Sequence, residues 1–165
     1  MWAGPSWGAD DAGSSASHPL SAWDSPGFLL WHLTLRWQRQ MAAALEPFGL
    51  THVQFVLLAT AYWLNRRGEH PSQLRIAAHA GMDLSMTSQA LRKLEKMGLV
   101  TRHIDPKDSR ARMLTVSQVG AALAKQAFKA VEDADEAFFA AWPSLADALC
   151  SGPPPGQADL GPDSG

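Results

Sequence analysis

A mainly α fold is what the sequence predicts: a helix-turn-helix followed by a two-stranded hairpin, framed by a long apolar helix at either end. Three observations carry that expectation. Over 85–97, Thr87, Leu91 and Leu94, flanked by Ala90 and Met97, fall on one face, while Ser88, Gln89, Arg92, Lys93 and Lys96 fall on the other, the period of an amphipathic helix. Two β-prone runs, 99–104 and 112–116, flank the polar stretch Asp105-Pro106-Lys107-Asp108-Ser109-Arg110-Ala111, which reads as a hairpin with a charged tip. Apolar residues recur every three or four positions through 27–49 and again from 117 onward.

Composition bounds the chain to one core. At 165 residues and 46% hydrophobic content, it can bury a single domain and a partner surface. The net charge of −2 argues against a nucleic-acid binder only as an average. Of 14 Lys and Arg, seven (Arg92, Lys93, Lys96, Arg102, Lys107, Arg110, Arg112) lie between 92 and 112 against three acidic residues, a local net of +4. A basic patch on a mildly acidic protein suffices for phosphate binding. The single cysteine, Cys150, excludes an internal disulfide framework and a multi-cysteine zinc site, and it fits a reducing compartment; it reads as a buried small apolar residue rather than a redox switch. No signal-like segment opens the chain and no run approaches the length of a membrane span. A cytoplasmic protein with no membrane partner is expected.

In chain order, residues 1–25 are rich in Gly, Ser, Ala, Asp and Pro, with Trp2, Trp7 and Trp23 among them, and read as a flexible N-terminal tail. A helix over 27–49 follows, with Leu30, Leu33, Trp37, Met41, Leu45 and Phe48 in step. Phe28, Leu29, Trp31 and Leu35 make its first half apolar nearly all round, so it must be covered on several sides. Thr51-His52-Val53-Gln54 has the form of a capping box opening a central helix. Pro71-Ser72 opens the next, with Leu74, Ile76, Ala77 and Ala78 as expected inner positions and Gly81 as its end. The amphipathic helix over 85–97 is expected to start at Ser85 and stop at Gly98. Ser117 opens a long helix with Leu123, Ala127, Val131, Ala134 and Phe138 at heptad-like spacing. Trp142-Pro143 breaks it before a short last helix over 145–150, and 151–165, with Gly152-Pro153-Pro154-Pro155-Gly156, are expected to be disordered.

The segment Leu94-Glu95-Lys96-Met97-Gly98-Leu99-Val100, then Asp105-Pro106-Lys107-Asp108-Ser109-Arg110-Ala111, then Val116-Ser117-Gln118-Val119-Gly120 resembles the MarR family of winged helix-turn-helix regulators. Members commonly show Leu-Glu-x-x-Gly-Leu-Val, Asp-Pro-x-Asp-x-Arg and Leu-Thr-x-x-Gly in that order. The third motif is altered here, but Ser117 can cap a helix as threonine would. The resemblance covers roughly 27–140. It implies a winged helix-turn-helix domain over 27–150 with long N- and C-terminal dimerisation helices (27–49 and 117–150) around a DNA-binding part (51–116). It also implies a homodimer that binds double-stranded DNA and regulates transcription, as a repressor released by a ligand.

Polar side chains on a helix seated in the major groove meet base edges while basic groups hold phosphates. Ser85, Thr87, Ser88, Gln89, Arg92 and Lys93 are the candidates on the helix; Lys107, Arg110 and Arg112 are those on the hairpin. By resemblance, Arg110 at the wing tip enters the minor groove or lies on its phosphates, and Asp108 supports the loop. Replacing Arg110 by Ala is expected to weaken operator binding and flatten its salt dependence in a mobility-shift titration; an unchanged slope would refute the assignment.

By the same resemblance, Trp31, His32, Arg36, Trp37 and Trp63 are candidates for a pocket holding a small aromatic or phenolic ligand. Core and dimer packing is the competing use of those aromatics. His18, His32, His52, His70, His79 and His103 are scattered without metal-ligand spacing, so no metal and no cofactor is expected. No phosphate loop, nucleophile elbow or paired Cys and His is present, and an enzyme is not expected. The competing function is a winged-helix module that binds a small molecule or a protein and has no DNA-binding activity.

Overall fold

Caps written into the sequence set most of the helix boundaries. The computed structural model describes residues 25–104 and 112–151. In chain order these form α1 (Pro26–Leu45), a 3-10 turn (Glu46–Phe48), α2 (His52–Arg66), α3 (Gln73–Ala80), α4 (Leu84–Lys96), β1 (Val100–Ile104), β2 (Arg112–Val116), α5 (Gln118–Phe139) and α6 (Pro143–Ser151). Thr51 and Gln54 close the expected capping box at the start of α2 (3.2 and 2.9 Å). Ser72 and Ser117 cap α3 and α5 through Arg75 N and Gly120 N. Each supplies an oxygen to N–H groups that no preceding turn can satisfy.

The chain divides into two units after Thr34. The described part of the first is 25–34, the opening of α1, where the Ser25 carbonyl accepts the Leu29 N–H at 3.0 Å. The Phe28 and His32 rings meet there edge-on at 4.4 Å.

The second unit holds the core. Its central member is α2, which packs on α3, α4, α5 and β2. Leu57, Leu58, Ala61 and Leu64 of α2 are fully buried, together with Met41, Leu45, Ile76, Leu91, Leu94 and Leu114. A helix buried on this many sides derives its stability from apolar area removed from water rather than from helix propensity. The strands pair antiparallel, from Val100 opposite Val116 to Ile104 opposite Arg112. Ser72 adds a single antiparallel bridge to Met113, and the Pro71 carbonyl accepts the Leu114 N–H at 3.0 Å.

Asn65 ties the hairpin to α2. Its Oδ1 accepts the Val116 N–H at 2.7 Å, and its Nδ2 donates to the carbonyls of Leu114 (3.2 Å) and Glu69 (2.9 Å). One amide thus satisfies backbone groups of β2 that have no strand on that side.

Four expectations are corrected. Leu74 and Ala78 are exposed, Leu74 by 66%, because two residues from Ile76 is about 200° around a helix, the opposite face. α4 starts one position before Ser85, at Leu84, with Asp83 as the cap accepting the Met86 N–H at 2.8 Å; a carboxylate there also suits the positive end of the helix dipole. The last helix begins at Pro143, two residues earlier than expected, the first-turn position where proline's missing N–H costs nothing. Cys150 is exposed rather than buried. Lys107, Asp108 and Arg110 and both tails lie outside the described residues.

Candidate nucleic-acid interface

α4 turns its apolar stripe inward and leaves three polar tracks outside. Thr87, Ala90, Leu91 and Leu94 are buried. At about 100° per residue, Ser85, Gln89, Arg92 and Lys96 point directly away from them, and all four are exposed. Met86 and Lys93 lie on the flank toward α2, where with Gln89 and Ala90 they face Thr51, Val53 and Gln54 across a groove of ≈ 160 Å³. Ser88 and Glu95 lie on the flank toward β1.

The candidate contacts separate on this geometry. Ser85, Gln89 and Lys93 are exposed. Ser88 is half-buried; its carbonyl and hydroxyl accept from Arg92 Nε (3.3 Å) and Nη2 (3.2 Å). Those bonds fold the Arg92 guanidinium back along the helix toward its N-terminus, the end that recognition helices place against base edges. Thr87 is corrected: it is 0% exposed, and its hydroxyl donates to the Asp83 carbonyl at 2.8 Å. It packs the helix down and has no path to a base. Arg112 opens β2 at the exposed end of the hairpin.

Arg102 leaves the basic patch. Strand alternation puts it opposite buried Leu114 on the inner face of the hairpin. Its side chain is 18% exposed and its Nε lies 3.2 Å from Glu95 Oε2. This pair neutralises two charges and fastens the end of the recognition helix to the wing; neither its role nor that of Asn65 was expected from sequence.

Of the five candidate pocket residues, Trp31 and His32 belong to the first unit and Arg36, Trp37 and Trp63 to the second. Trp31 is 61% exposed. In the second unit, Trp37 Nε1 donates to Asp135 Oδ1 at 2.6 Å, and its ring meets His52 at 4.9 Å. The Arg36 guanidinium lies 5.4 Å from the Trp142 ring centroid. Trp63 is eleven residues beyond His52 on α2, about 16 Å along the axis. It lines a different, open groove of ≈ 300 Å³ with Phe55, Val56, Ala59, Thr60, His79 and Phe128.

Burial beside Trp37 holds the His52 imidazole below its ordinary pKa, opposed in part by the Asp135 carboxylate. The folded state therefore binds this proton less readily than the unfolded chain, so His52 favours folding fully above about pH 6.5 and progressively less as pH falls below it. Urea midpoints measured between pH 7.5 and 5 are expected to fall less for His52→Phe, which keeps the ring contact, than for the parent chain. Parallel profiles would show that His52 does not contribute.

Among the described residues, no group of His, Cys, Asp and Glu could hold a metal ion, and no single described helix is long and apolar enough to cross a membrane.

The family model of the MarR family matches residues 50–111, which include α2, α3, α4 and β1. The HTH-type transcriptional regulator YdcH of Bacillus subtilis (strain 168) is 42% identical over 117 residues, 71% of this chain and 80% of that relative. The chain belongs to the MarR family. MarR-family proteins are DNA-binding transcriptional regulators and not enzymes, and the fold follows suit. The transcriptional repressor CouR bound to a 23-mer DNA duplex superimposes with a TM-score of 0.69 at 26% identity, over 83% of this chain and 95% of that one. CouR from Rhodococcus jostii RHA1 bound to p-coumaroyl-CoA gives 0.68 at 27%, over 79% and 90%.

Proposed function

We propose that this MarR-family chain is a ligand-responsive repressor that binds a pseudo-palindromic operator as a homodimer. The observation that supports it best is the outward track Ser85, Gln89, Arg92 and Lys96 on α4, with Thr87, Ala90, Leu91 and Leu94 buried on the opposite face. Gln89 is suited to a bidentate contact with adenine and Arg92 to one with guanine. Ser85, Ser88 and Lys93 serve neighbouring bases and phosphates, and Lys107, Arg110 and Arg112 serve the wing, with Asp108 supporting its loop.

Dimerisation is supported by Leu29, Leu30 and Trp31 of α1 and Leu149 of α6, exposed by 45, 60, 61 and 61%; apolar surface of this size in helical positions calls for a cover. Two-fold symmetry then sets the recognition helices about one DNA turn apart, ~34–36 Å. The groove beside Trp63 and His79 supports ligand control, with aromatic walls suited to a small aromatic or phenolic compound, as does the bound p-coumaroyl-CoA of CouR. A ligand changes operator affinity only by binding one helix spacing better than another.

Sequencing genomic fragments that co-purify with the protein tests the reading, because bound sites reveal operator and target together. Enrichment of one inverted-repeat motif is the expected result. Uniform recovery of the genome would contradict it.

A further inference from the structure

The first turn of α4 carries an apolar side chain that neither the core nor the polar track explains. Met86 is 48% exposed although Thr87, Leu91 and Leu94 beside it are 0% exposed. Leu84, 46% exposed, lies on the other flank with Ser88 and Glu95. Met86 instead shares its flank with Lys93 and, with Gln89 at the edge of the outward track, forms part of one wall of the groove completed by Thr51, Val53 and Gln54.

The geometry points to Met86 as a specificity residue that reads the C5-methyl group of a thymine. The inference rests on α4 entering the major groove and adds to it the identity of one base. In that groove, adenine, guanine and cytosine present only polar edges, and thymine alone presents an apolar group. A half-exposed thioether in the first turn, the part of a recognition helix that meets base edges, has that one apolar partner on the duplex floor. Its placement next to Gln89 fixes where the thymine sits. Residues three apart on a helix rise about 4.5 Å, little more than the ~3.4 Å between stacked base pairs. When the Gln89 amide pairs with one base, the Met86 methyl meets the adjacent step. Lys93, one turn further on the same flank, holds the phosphate that bounds the pair. The unbranched methionine chain adapts to a small methyl without requiring a preformed socket.

Deoxyuridine differs from thymidine only by the missing methyl and so isolates this contact. An operator recovered by selection from random duplexes is remade with each thymine replaced in turn by deoxyuridine, and binding of the full chain is followed by fluorescence anisotropy. One thymine per half-site is expected whose methyl removal weakens the parent chain about fourfold, the worth of one buried methyl. Met86→Ala should bind the unmodified operator more weakly by a similar factor and be indifferent to that deoxyuridine. Met86→Gln should behave alike, with thermal melts confirming that both variants fold. Two results overturn the assignment while leaving DNA binding intact: every deoxyuridine operator binding the parent chain like the unmodified one, or the sensitive position staying equally sensitive in both variants. If no duplex is enriched and binding is indifferent to salt, the groove reading of α4 falls and the methyl contact falls with it.

Discussion

Gly120→Ala is expected to lower the urea midpoint sharply, with a loss of about 3 kcal/mol and an unchanged denaturant slope. A Cβ at position 120 would lie 2.1 Å from the Leu99 carbonyl oxygen, 2.9 Å from its carbon and 3.0 Å from Val116 Cγ1. The obstacle is backbone, so no rotamer change relieves it. Nor is the backbone free to retreat. The same Leu99 oxygen accepts the Ser117 N–H at 3.0 Å and the Ser117 hydroxyl at 3.2 Å, while the Gly120 N–H donates to Ser117 Oγ at 3.0 Å. The first turn of α5 is therefore seated directly on the turn joining α4 to β1. Lifting it by an ångström would break the cap, the hydrogen bonds to Leu99 or both. Against a total stability of roughly 5–15 kcal/mol for a domain of this kind, a loss of this size is a large share. A midpoint equal to the parent's would mean that α5 does not sit on this turn.

The largest functional effect is expected at Arg92. Its alanine variant should lose about 1–3 kcal/mol of operator affinity per half-site, which nearly adds across two separated half-sites. The loss should concentrate on one guanine: replacing that base should cost the parent chain dearly and the variant little. Lys96→Ala, on the same track but a turn further from the helix start, should weaken all sequences alike and reduce the salt slope by about one. Arg92 is exposed and its hydrogen bonds stay within its own helix, so its removal should leave the thermal midpoint nearly unchanged. Anisotropy titrations on the operator and its single-base variants check both claims. Equal affinity of parent and Arg92→Ala for all of them would take Arg92 out of the groove.

Local chemistry was legible in the sequence, and tertiary adjacency was not. The capping box at Thr51 and Gln54, the caps at Ser72 and Ser117 and the stop at Gly81 are short-range hydrogen-bond or backbone problems, and the residues that solve them are near neighbours in the chain. The start of α4 was harder because Asp83 and Ser85 are both competent caps; packing of Thr87 against the Asp83 carbonyl decides between them. Leu74 was misplaced because an eight-residue helix offers too few turns for hydrophobicity to outvote geometry. Charge alone includes Arg102 in the basic patch over 92–112, although period-two alternation from Val100 already places it on the inner face of its strand. Asn65 gave no local signal, since its partners Leu114 and Val116 lie 49 and 51 residues away. The surroundings of Trp37 and Trp63 have no local signal either: Trp37 on α1 meets His52 at the start of α2, and Trp63 lies eleven residues further along that helix.

Methylation interference at guanine N7 shows whether α4 of two protomers enters the major groove, because N7 lies on the major-groove edge and the readout reports where protein must enter. Two patches of interference are expected on the recovered operator, centred about 10 base pairs apart and related by its dyad, each lost when Arg92 and Gln89 are replaced together. Binding that tolerates methylation at every guanine of an operator with guanines in both half-sites would contradict this expectation, as would a single patch with no symmetry mate.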